Sequence, residues 1–371
     1  MPDKLRIAYF VHSLRSDWNN GNAHFLRGLL REFSALGHQA IIFEPSREWS
    51  IDNLLTEHDG AEALVEFEHT YSELSIQLYD PEDIAHASTW RRLLRDFDVV
   101  IVHEWNPADL AYVLLELRDE LGYRMLFHDT HHRASSSPNQ IRLLGVDRFD
   151  GVVAFGEALR IIYRSRFAMH RVWTLHEAAD TQVFRPLPAK TKCQDVVWIG
   201  NWGDEERSQE IREFLIRPAS RMPSRRFSIH GVRYPNHALE ELRASNVMYE
   251  GYLPNLRAPY VYAASRVTVH IPRQQYADAM SGIPTIRVFE ALACEIPLIS
   301  APWNDTENLF REGDLAFVAD SKQMQCAIEQ FLSDPARAQA QAHRGRETVL
   351  ARHTCKHRAA ELEEICKEVL A

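Results

Sequence analysis

Short apolar runs rich in β-branched residues alternate with amphipathic helical patterns along the chain. The first run, residues 5–11, is followed by a polar loop and by a helical pattern whose apolar residues recur on one stripe from Phe25 to Leu36. Strands that alternate with helices in this way are typical of a parallel, doubly wound sheet. Further strands are predicted at residues 40–43, 99–102, 125–127, 152–155 and 172–175.

A second series of strands follows a turn-rich stretch at residues 185–195, which contains two prolines and no apolar period. We therefore predict an α/β fold with two Rossmann-like domains, residues 1–186 and 187–340, and a helical segment, residues 341–371, that packs back toward the first domain. Ligands of such sheets bind outside the carboxyl ends of the strands, so we expect the site in a cleft between the domains. The second series is predicted at residues 196–199, 227–230, 247–249, 267–271, 298–300 and 316–318.

Size and charge narrow the class of partner. At about 150 residues per domain, a chain of 371 residues is long enough for two domains. Its 52 acidic residues exceed its 42 basic ones, which gives a net charge of −10. A protein that mainly binds nucleic acid needs a dominant basic surface, so we expect no nucleic-acid partner, whereas a small phosphorylated ligand in a locally basic pocket remains compatible.

Targeting signals and cysteines indicate the compartment. We read no signal peptide, and no stretch approaches the roughly 18 apolar residues that span a bilayer. Five widely spaced cysteines, an odd number, argue against a disulfide framework or a zinc ribbon. We therefore expect a cytoplasmic protein with at most peripheral membrane contact, through the arginines between residues 217 and 226. The oligomeric state is left open.

The stretch at residues 281–300 carries the strongest chemical signal. Gly282, Ile283 and Thr285 form a loop that leads into a helix predicted to begin near Ile286. The free N–H groups and partial positive charge of a helix N-terminus suit a diphosphate. Two readings are open for Arg287 and Glu290, which lie three residues apart on one helix face: a cation near phosphates with a carboxylate that accepts from ribose hydroxyls, or an ion pair within the helix.

A second strand–loop–helix pattern spans residues 196–215. The strand leads into the loop that contains Gly200, Asn201 and Trp202, where backbone can approach a phosphate closely. The full GxGxxG pattern is absent, so no dinucleotide site is predicted. Arg207 is placed either to add a charge at the phosphate or to lie solvated in the first helical turn.

Histidines cluster after two predicted strands of the first half. The segment LFHDTHHR, residues 126–133, contains three histidines together with Asp129, and His103 follows a neighbouring strand. Such groups are candidates for acid–base work or for hydrogen bonds to a sugar. Because no HExxH motif or cysteine partner is present, we expect no metal site.

Four segments, in order, resemble one family. They are GHQAIIFEP, HEAADTQVFRP, EGYLPN and VFEALACEIPLIS, which begin at residues 37, 176, 250 and 288. The chain resembles the GT-B-fold glycosyltransferases with a group 1, retaining-type carboxy-terminal domain, and within them the CgeB-like branch. The resemblance covers nearly the whole chain. It implies transfer of a sugar from a nucleoside-diphosphate-sugar donor to an acceptor hydroxyl, without a metal or a separate cofactor.

The resemblance also implies roles for individual residues. On the donor side, it assigns Glu290 to the ribose hydroxyls, the backbone of residues 282–286 to the diphosphate, Arg207 to a phosphate, and the neighbourhood of the base to Gly251 and Leu253. On the side of the transferred sugar and the acceptor, it points to Gly21, Asn22, Asp129 and His131. Two positions depart from the family pattern: Gly282 stands where a glutamate is expected, and Asn201 where an arginine is expected, so Arg287 is a substitute cation.

Three functions are compatible with the sequence. A retaining transferase needs no protein base, because the departing phosphate oxygen accepts the acceptor's proton; an inverting one would use His24, His103 or His131. The two alternatives are a nucleotide-sugar epimerase of the same fold and a non-catalytic nucleotide-sugar-binding protein. We predict a metal-independent, retaining glycosyltransferase.

Overall fold

The structure, a computed structural model, describes residues 4–188, 191–203 and 206–371. It divides into two compact units, Met1–Glu177 with Cys355–Ala371, and Ala178–Thr354. The predicted linker at residues 185–195 includes Ala189 and Lys190, which lie outside the described residues.

The first unit is built on a seven-stranded parallel sheet of order β3-β2-β1-β4-β5-β6-β7. The strands are β1 (Arg6–Phe10), β2 (Gln39–Pro45), β3 (Ser75–Tyr79), β4 (Val99–His103), β5 (Arg124–Asp129), β6 (Gly151–Ala154) and β7 (Val172–Thr174). The α-helices are α1 (Ala23–Ala35), α2 (Trp49–Leu54), α3 (Gly60–Thr70), α4 (Ala87–Leu94), α5 (Ala108–Leu121), α6 (Arg133–Ser136), α7 (Pro138–Arg142) and α8 (Glu157–Arg166), with 3-10 turns at Pro81–Asp83 and Val146–Arg148.

The second unit is built on a six-stranded parallel sheet of order β10-β9-β8-β11-β12-β13. The strands are β8 (Gln194–Ile199), β9 (Phe227–His230), β10 (Val247–Tyr249), β11 (Ser265–His270), β12 (Leu298–Ser300) and β13 (Ala316–Phe317). The α-helices are α9 (Ser208–Ile211), α10 (Arg217–Arg221), α11 (Asn236–Ala244), α12 (Ala258–Ala264), α13 (Gln274–Asp278), α14 (Ile286–Ala293), α15 (Ser321–Ser333) and α16 (Pro335–Arg352); a π-helical turn at Arg212–Ile216 joins α9 to α10, and a 3-10 turn lies at Asn255–Arg257. The last helix of the chain, α17 (Cys355–Leu370), belongs to the first unit.

Both sheets place their first and fourth strands side by side. In the first sheet, the strands that follow β1 lie on one side of the β1–β4 pair and those that follow β4 lie on the other side. The strands that follow β8 and β11 are arranged in the same way in the second sheet. Loops after two such strands diverge and leave a crevice at the carboxyl edge of the sheet, where ligands of doubly wound folds bind. This topology therefore directs attention to the residues that follow β1, β4, β8 and β11.

The twelve predicted strands are all present, and one further strand, β3, was not predicted. It lies at the edge of its sheet, and four of its five residues are exposed or half-buried. An edge strand needs no continuous apolar run, because only part of its surface is covered, so the apolar pattern could not reveal it.

The boundaries of the two units differ from the predicted domain limits. The backbone N–H of Ala179 donates to the carbonyl oxygen of His353 at 3.1 Å, and Ala179 also forms a parallel bridge with Thr354. The outgoing segment therefore belongs to the second unit from Ala178 onward, together with α16. Only α17 rejoins the first unit, where it packs on α1 and His38 Nε2 lies 3.3 Å from Glu363 Oε1.

No helix within the described ranges is long and apolar enough to cross a membrane.

Close packing of α16 on α14 gives a test of the fold. A Cβ added at Gly345 would lie 2.6 Å from Leu292 Cδ2 and 2.7 Å from the carbonyl oxygen of Asp314. Alanine gains about 1 kcal/mol of helix propensity over glycine, but overpacking costs about 1–3 kcal/mol. We expect Gly345→Ala to lower the free energy of unfolding by about 1–2 kcal/mol in urea denaturation. The control Ala340→Ser, at an exposed position of the same helix, should change it by less than about 0.5 kcal/mol; a stabilised Gly345→Ala would contradict the packing.

Candidate functional site

Three loops at the carboxyl edge of the second sheet are hydrogen-bonded to one another. The N–H of Gly231 donates to Gly251 O at 2.8 Å, and the N–H of Val232 donates to Asn201 Oδ1 at 2.9 Å. A Cβ at Gly231 would lie 2.1 Å from Gly200 O, so only glycine permits this approach. The loops that follow β8, β9 and β10 thus form one continuous edge. It contains the predicted residues Gly200, Asn201, Gly251 and Leu253.

Trp202 contributes differently from its predicted role. Its side chain is only 1% exposed and belongs to the hydrophobic core of the second unit. The indole lies 5.7 Å from the ring of Tyr234, and the guanidinium carbon of Arg212 lies 5.4 Å from the indole centroid. The indole therefore anchors the loop, and only the backbone of Trp202 can face a ligand.

The N-terminus of α14 is attached to the ends of two strands. Thr285 precedes the helix in an extended conformation, and its hydroxyl lies 3.0 Å from His270 Nε2. The other ring nitrogen of His270 lies 2.8 Å from Ser300 Oγ. The loop residues Gly282 and Ile283 and the first helical residue Ile286 are buried. One imidazole thus joins β11, β12 and the tip of α14.

Positive charge is concentrated beside this tip. Burial, and then the charge of Arg273, lowers the pKa of Arg207 to about 9, so Arg207 keeps its charge at neutral pH. Burial, and then the charge of Arg207, lowers the pKa of His270 to about 3 and holds the imidazole neutral. Within the described ranges Arg207 Nε has no hydrogen-bond partner. Arg207 is half-buried, and a guanidinium whose buried N–H lacks a partner in this part of the chain is suited to an anionic ligand.

The two loops that flank the crevice are also linked to each other. Arg273 Nη1 lies 2.6 Å from Glu206 Oε2, and the N–H of Gln274 donates to Glu206 O at 3.2 Å. Because Glu206 follows β8 and Arg273 follows β11, this pair fixes the spacing between the loops. The crevice is therefore preformed on its cationic side.

Arg287 and Glu290 form an ion pair within α14. Arg287 Nη1 lies 2.5 Å from Glu290 Oε2, and the side chain of Glu290 is 0% exposed while that of Arg287 is 25% exposed. The carboxylate also lies near Tyr262, whose pKa is raised by burial and then by the charge of Glu290. Of the two readings, the ion pair is present, and the contact of Glu290 with ribose remains a prediction.

The carboxyl edge of the first sheet holds a buried carboxylate. Glu104 follows β4, and its carboxylate accepts from Thr130 N at 3.3 Å and from Thr130 Oγ1 at 3.2 Å. His103 Nε2 lies 2.9 Å from Glu104 Oε2, with both side chains fully buried. Asn22 Nδ2, which comes from the start of α1, donates to Thr130 Oγ1 at 2.6 Å. Asn22 and His103 are therefore brought together.

An exposed indole lies next to this group. The guanidinium carbon of Arg133 lies 3.8 Å from the ring centroid of Trp105, and Arg133 Nη2 donates to Glu104 O. The ring of His131 meets the same indole edge-on at 5.0 Å, and the indole is 42% exposed. Asp129 accepts from His131 N at 2.9 Å. The sequence-predicted pair of Asp129 and His131 thus lies beside an aromatic surface.

Burial sets the charge states of this edge. Burial raises the pKa of Glu104. The pKa of Asp129 is raised first by burial and then by the charge of Glu104. Burial lowers the pKa of His103 to about 3, so the imidazole is neutral at physiological pH. The ring of His12 stacks on that of His103 at 5.7 Å, and burial also lowers its pKa. These shifts are typical of groups held away from water.

The remaining predicted residues of the first unit lie around α1. Gly21 precedes that helix and is half-buried. His24 lies on the helix itself and is only 1% exposed. A base must reach the proton that it removes, so this burial gives His24 little access to an acceptor.

Several residues of the two edges were not singled out as site residues from the sequence. A signal was present for most of them, since a polar residue directly after a buried strand is placed at the ligand-binding edge. The motifs AYFVH and VTVH each end in this way. The residues concerned are His12, Thr130, Arg133, Glu206, His270 and Arg273.

In the described part of the chain, no group of three or more histidine, cysteine, aspartate or glutamate residues is arranged to hold a metal ion.

Residues 207–364 match the profile of a family described as "Glycosyl transferase-like". A comparison with curated proteins finds no significant match. Among solved structures, HepE of Anabaena in complex with UDP and glucose is similar, with a TM-score of 0.72 and 12% identity over 98% of this chain and 100% of that one. A glycosyltransferase of Rickettsia africae gives a TM-score of 0.66 at 14% identity over 100% and 99% of the two chains. Sucrose-phosphate synthase of Thermosynechococcus elongatus gives 0.65 at 15% identity over 99% of each chain.

These likenesses establish the fold. Two parallel α/β sheets in a chain that aligns over its full length with such structures define the GT-B fold. The predicted fold class is therefore confirmed.

The pH dependence of stability tests whether His270, at the carboxyl edge of the second sheet, is buried and neutral. Its pKa is about 3 in the folded chain, against an ordinary value of 6.5. As pH falls below 6.5 the unfolded chain takes up a proton that the folded chain does not, so stability is present above that pH and is lost below it. We expect His270→Gln to be less stable than the wild type at about pH 7.5, and the gap to narrow by about 2 kcal/mol at about pH 5 in urea denaturation.

A control separates this histidine from the general effect of pH. His170 is exposed, so His170→Gln should leave the pH dependence close to that of the wild type. If the wild type and His270→Gln lost the same amount of stability as the pH falls, His270 would not be buried and neutral.

Proposed function

We propose that this chain is a glycosyltransferase that moves a sugar from a nucleoside-diphosphate donor to an acceptor hydroxyl, without a metal and with retention of configuration. One observation carries the proposal: at a single crevice of the second unit, the tip of α14 lies beside two half-buried cations, Arg207 and Arg273. The match of residues 207–364 to a glycosyltransferase-like family supports it, as do solved structures of the same fold in complex with UDP or UDP-glucose.

Donor binding is assigned to the second unit. A diphosphate brings negative charge to the N-terminus of α14, where helix N–H groups favour it. Arg207 supplies a charge-assisted hydrogen bond from a site already shielded from water, where such a bond is strong. Open space lies beside Gly251, where a Cβ would meet nothing within 4 Å, and it allows close approach of the nucleoside. In this proposal Glu290 reads the ribose hydroxyls, which requires Arg287 to turn from the carboxylate toward the phosphates.

The chemical step follows from the same arrangement. The bond between the anomeric carbon and the diphosphate oxygen breaks with its electron pair on that oxygen, and the acceptor oxygen bonds to the same carbon. The acceptor's proton passes to the departing diphosphate, so retention needs no protein base. Fixed N–H dipoles and Arg207 stabilise the charge that develops on the leaving group, which is the interaction that accelerates the reaction.

Acceptor binding is assigned to the first unit. Trp105 offers an exposed aromatic surface, and Asn22, His131 and Arg133 offer polar groups beside it. An apolar ring with a few polar neighbours suits a hydroxylated acceptor such as a sugar. Glu104 and His103 are buried beneath this surface and hold it in shape through Thr130.

The proposal is tested by binding and turnover. Thermal shift and calorimetry with UDP, GDP, ADP and dTDP, each free and as its hexose conjugate, should identify at least one ligand that stabilises the chain. Turnover of that donor with a panel of hydroxyl acceptors should then yield a glycoside. Absence of any stabilisation would overturn the proposal, and tight donor binding without turnover over the whole panel would favour a binding protein.

Arg207 gives the sharpest single-residue test. Loss of a hydrogen bond to a charged group costs about 1.5–3 kcal/mol, so we expect Arg207→Ala to weaken binding of the free nucleoside diphosphate by roughly 10- to 100-fold in calorimetry. Arg207→Lys should recover part of the loss because it keeps the charge. The control Arg225→Ala removes an arginine that is half-buried between α10 and β9. Equal effects of the two alanine variants would contradict a phosphate role for Arg207.

A further inference from the structure

The segment that follows β12 lies directly on the turn that leads into α14. The N–H of Gly282 donates to Asn304 O at 2.6 Å, and Gly282 has a φ of +94°. A Cβ at this position would lie 2.6 Å from Thr306 Oγ1 and 3.0 Å from Glu307 Oε1. The space beside the turn is therefore filled by the side chain of Glu307, whose carboxylate approaches the backbone of Gly282.

Glu307 belongs to a loop that is held by hydrogen bonds and aromatic packing. The carboxylate of Asp305 accepts from the N–H groups of Leu309 and Phe310, both at 2.9 Å. Trp303 packs edge-on against Phe310 at 6.3 Å and against Phe317 at 5.6 Å. The position of Glu307 is thus set by hydrogen bonds and aromatic packing on either side of it, which lowers the entropic cost of presenting its carboxylate to a ligand.

The same loop carries a buried donor that lacks an acceptor. Trp303 is 7% exposed and its ring lies 6.4 Å from that of His270. Within the described ranges, Trp303 Nε1 has no hydrogen-bond partner. A buried N–H without a partner is unusual and calls for an explanation such as a ligand. The loop therefore offers an N–H donor and a carboxylate acceptor, and a hydroxyl group can pair with either.

We propose that Glu307 determines donor specificity by accepting hydrogen bonds from hydroxyl groups of the transferred sugar, with the loop of Trp303 forming that wall of the site. The inference rests on the proposed function, because it places the diphosphate at the tip of α14. A carboxylate is repelled by a diphosphate but accepts from sugar hydroxyls. Glu307 therefore discriminates between the sugar and the phosphate parts of one donor, whereas Arg207 reads the phosphates.

The test compares free nucleotides with their sugar conjugates. Calorimetry is run on the wild type, Glu307→Gln and Glu307→Asp with UDP and UDP-glucose, GDP and GDP-mannose, ADP and ADP-glucose, and dTDP and dTDP-glucose. For the pair that the wild type binds, we expect Glu307→Gln to weaken binding of the sugar conjugate by roughly 10-fold or more. Binding of the free nucleoside diphosphate should stay within about twofold, which also reports that the variant is folded.

A matched control lies nearby in the chain. Glu312 is exposed, so Glu312→Gln removes one negative charge near the same loop and should leave both affinities within about twofold of the wild type. Glu307→Asp keeps the charge but shortens the reach. With a second hexose conjugate of the nucleotide that the wild type binds, it should change the relative affinities for the two hexoses.

The outcomes separate the two proposals. If the wild type binds none of the eight ligands, the proposed function fails and this inference falls with it. If the wild type binds a nucleotide pair and Glu307→Gln weakens both members equally, or neither, the proposed function stands and the role of Glu307 is overturned.

Discussion

The second unit depends on one neutral imidazole that joins three elements. His270 ends β11, and its ring nitrogens lie within hydrogen-bond distance of Ser300 at the end of β12 and of Thr285 at the tip of α14. Since the ring is buried beside Arg207, a proton on it would add a second unbalanced charge. Because burial keeps His270 neutral, the positive charge of the crevice comes from Arg207 and Arg273. The buried imidazole of His270 therefore both joins the elements of the crevice and adds no positive charge to it.

The first unit uses a carboxylate for a comparable purpose. Glu104 is buried, and among the described residues no cationic side chain is hydrogen-bonded to its carboxylate, whose oxygens lie near Thr130 and neutral His103. A buried charge satisfied only by neutral donors is costly, which is why the pKa of Glu104 is raised. Arg133 bonds to the backbone of Glu104 and covers one face of Trp105. This buried arrangement holds an exposed indole in a defined orientation.

The sequence predicted the strands well and the contacts between distant segments poorly. Runs such as VVIV and IAYF are long enough and apolar enough to reveal buried parallel strands, whereas the half-exposed β3 carries no such run. The carboxyl-edge rule located Asn201, His103 and Asp129 correctly at strand ends. It could not pair Gly282 with Glu307, which lie 25 positions apart in the chain, because only the folded backbone reveals that a Cβ at Gly282 would meet that side chain.

The surroundings of Gly282 account for the glycine that stands where the family resemblance predicts a glutamate. A residue other than glycine is strained at the positive φ of Gly282. The adjoining volume is also occupied already, by Thr306 and Glu307. A glutamate at position 282 would have to displace that loop and break the hydrogen bond from Gly282 to Asn304. The glycine and the loop are therefore mutually dependent, so a change at one requires a change at the other. Among the described residues, Glu307 is the one whose carboxylate approaches the position that a side chain at residue 282 would occupy.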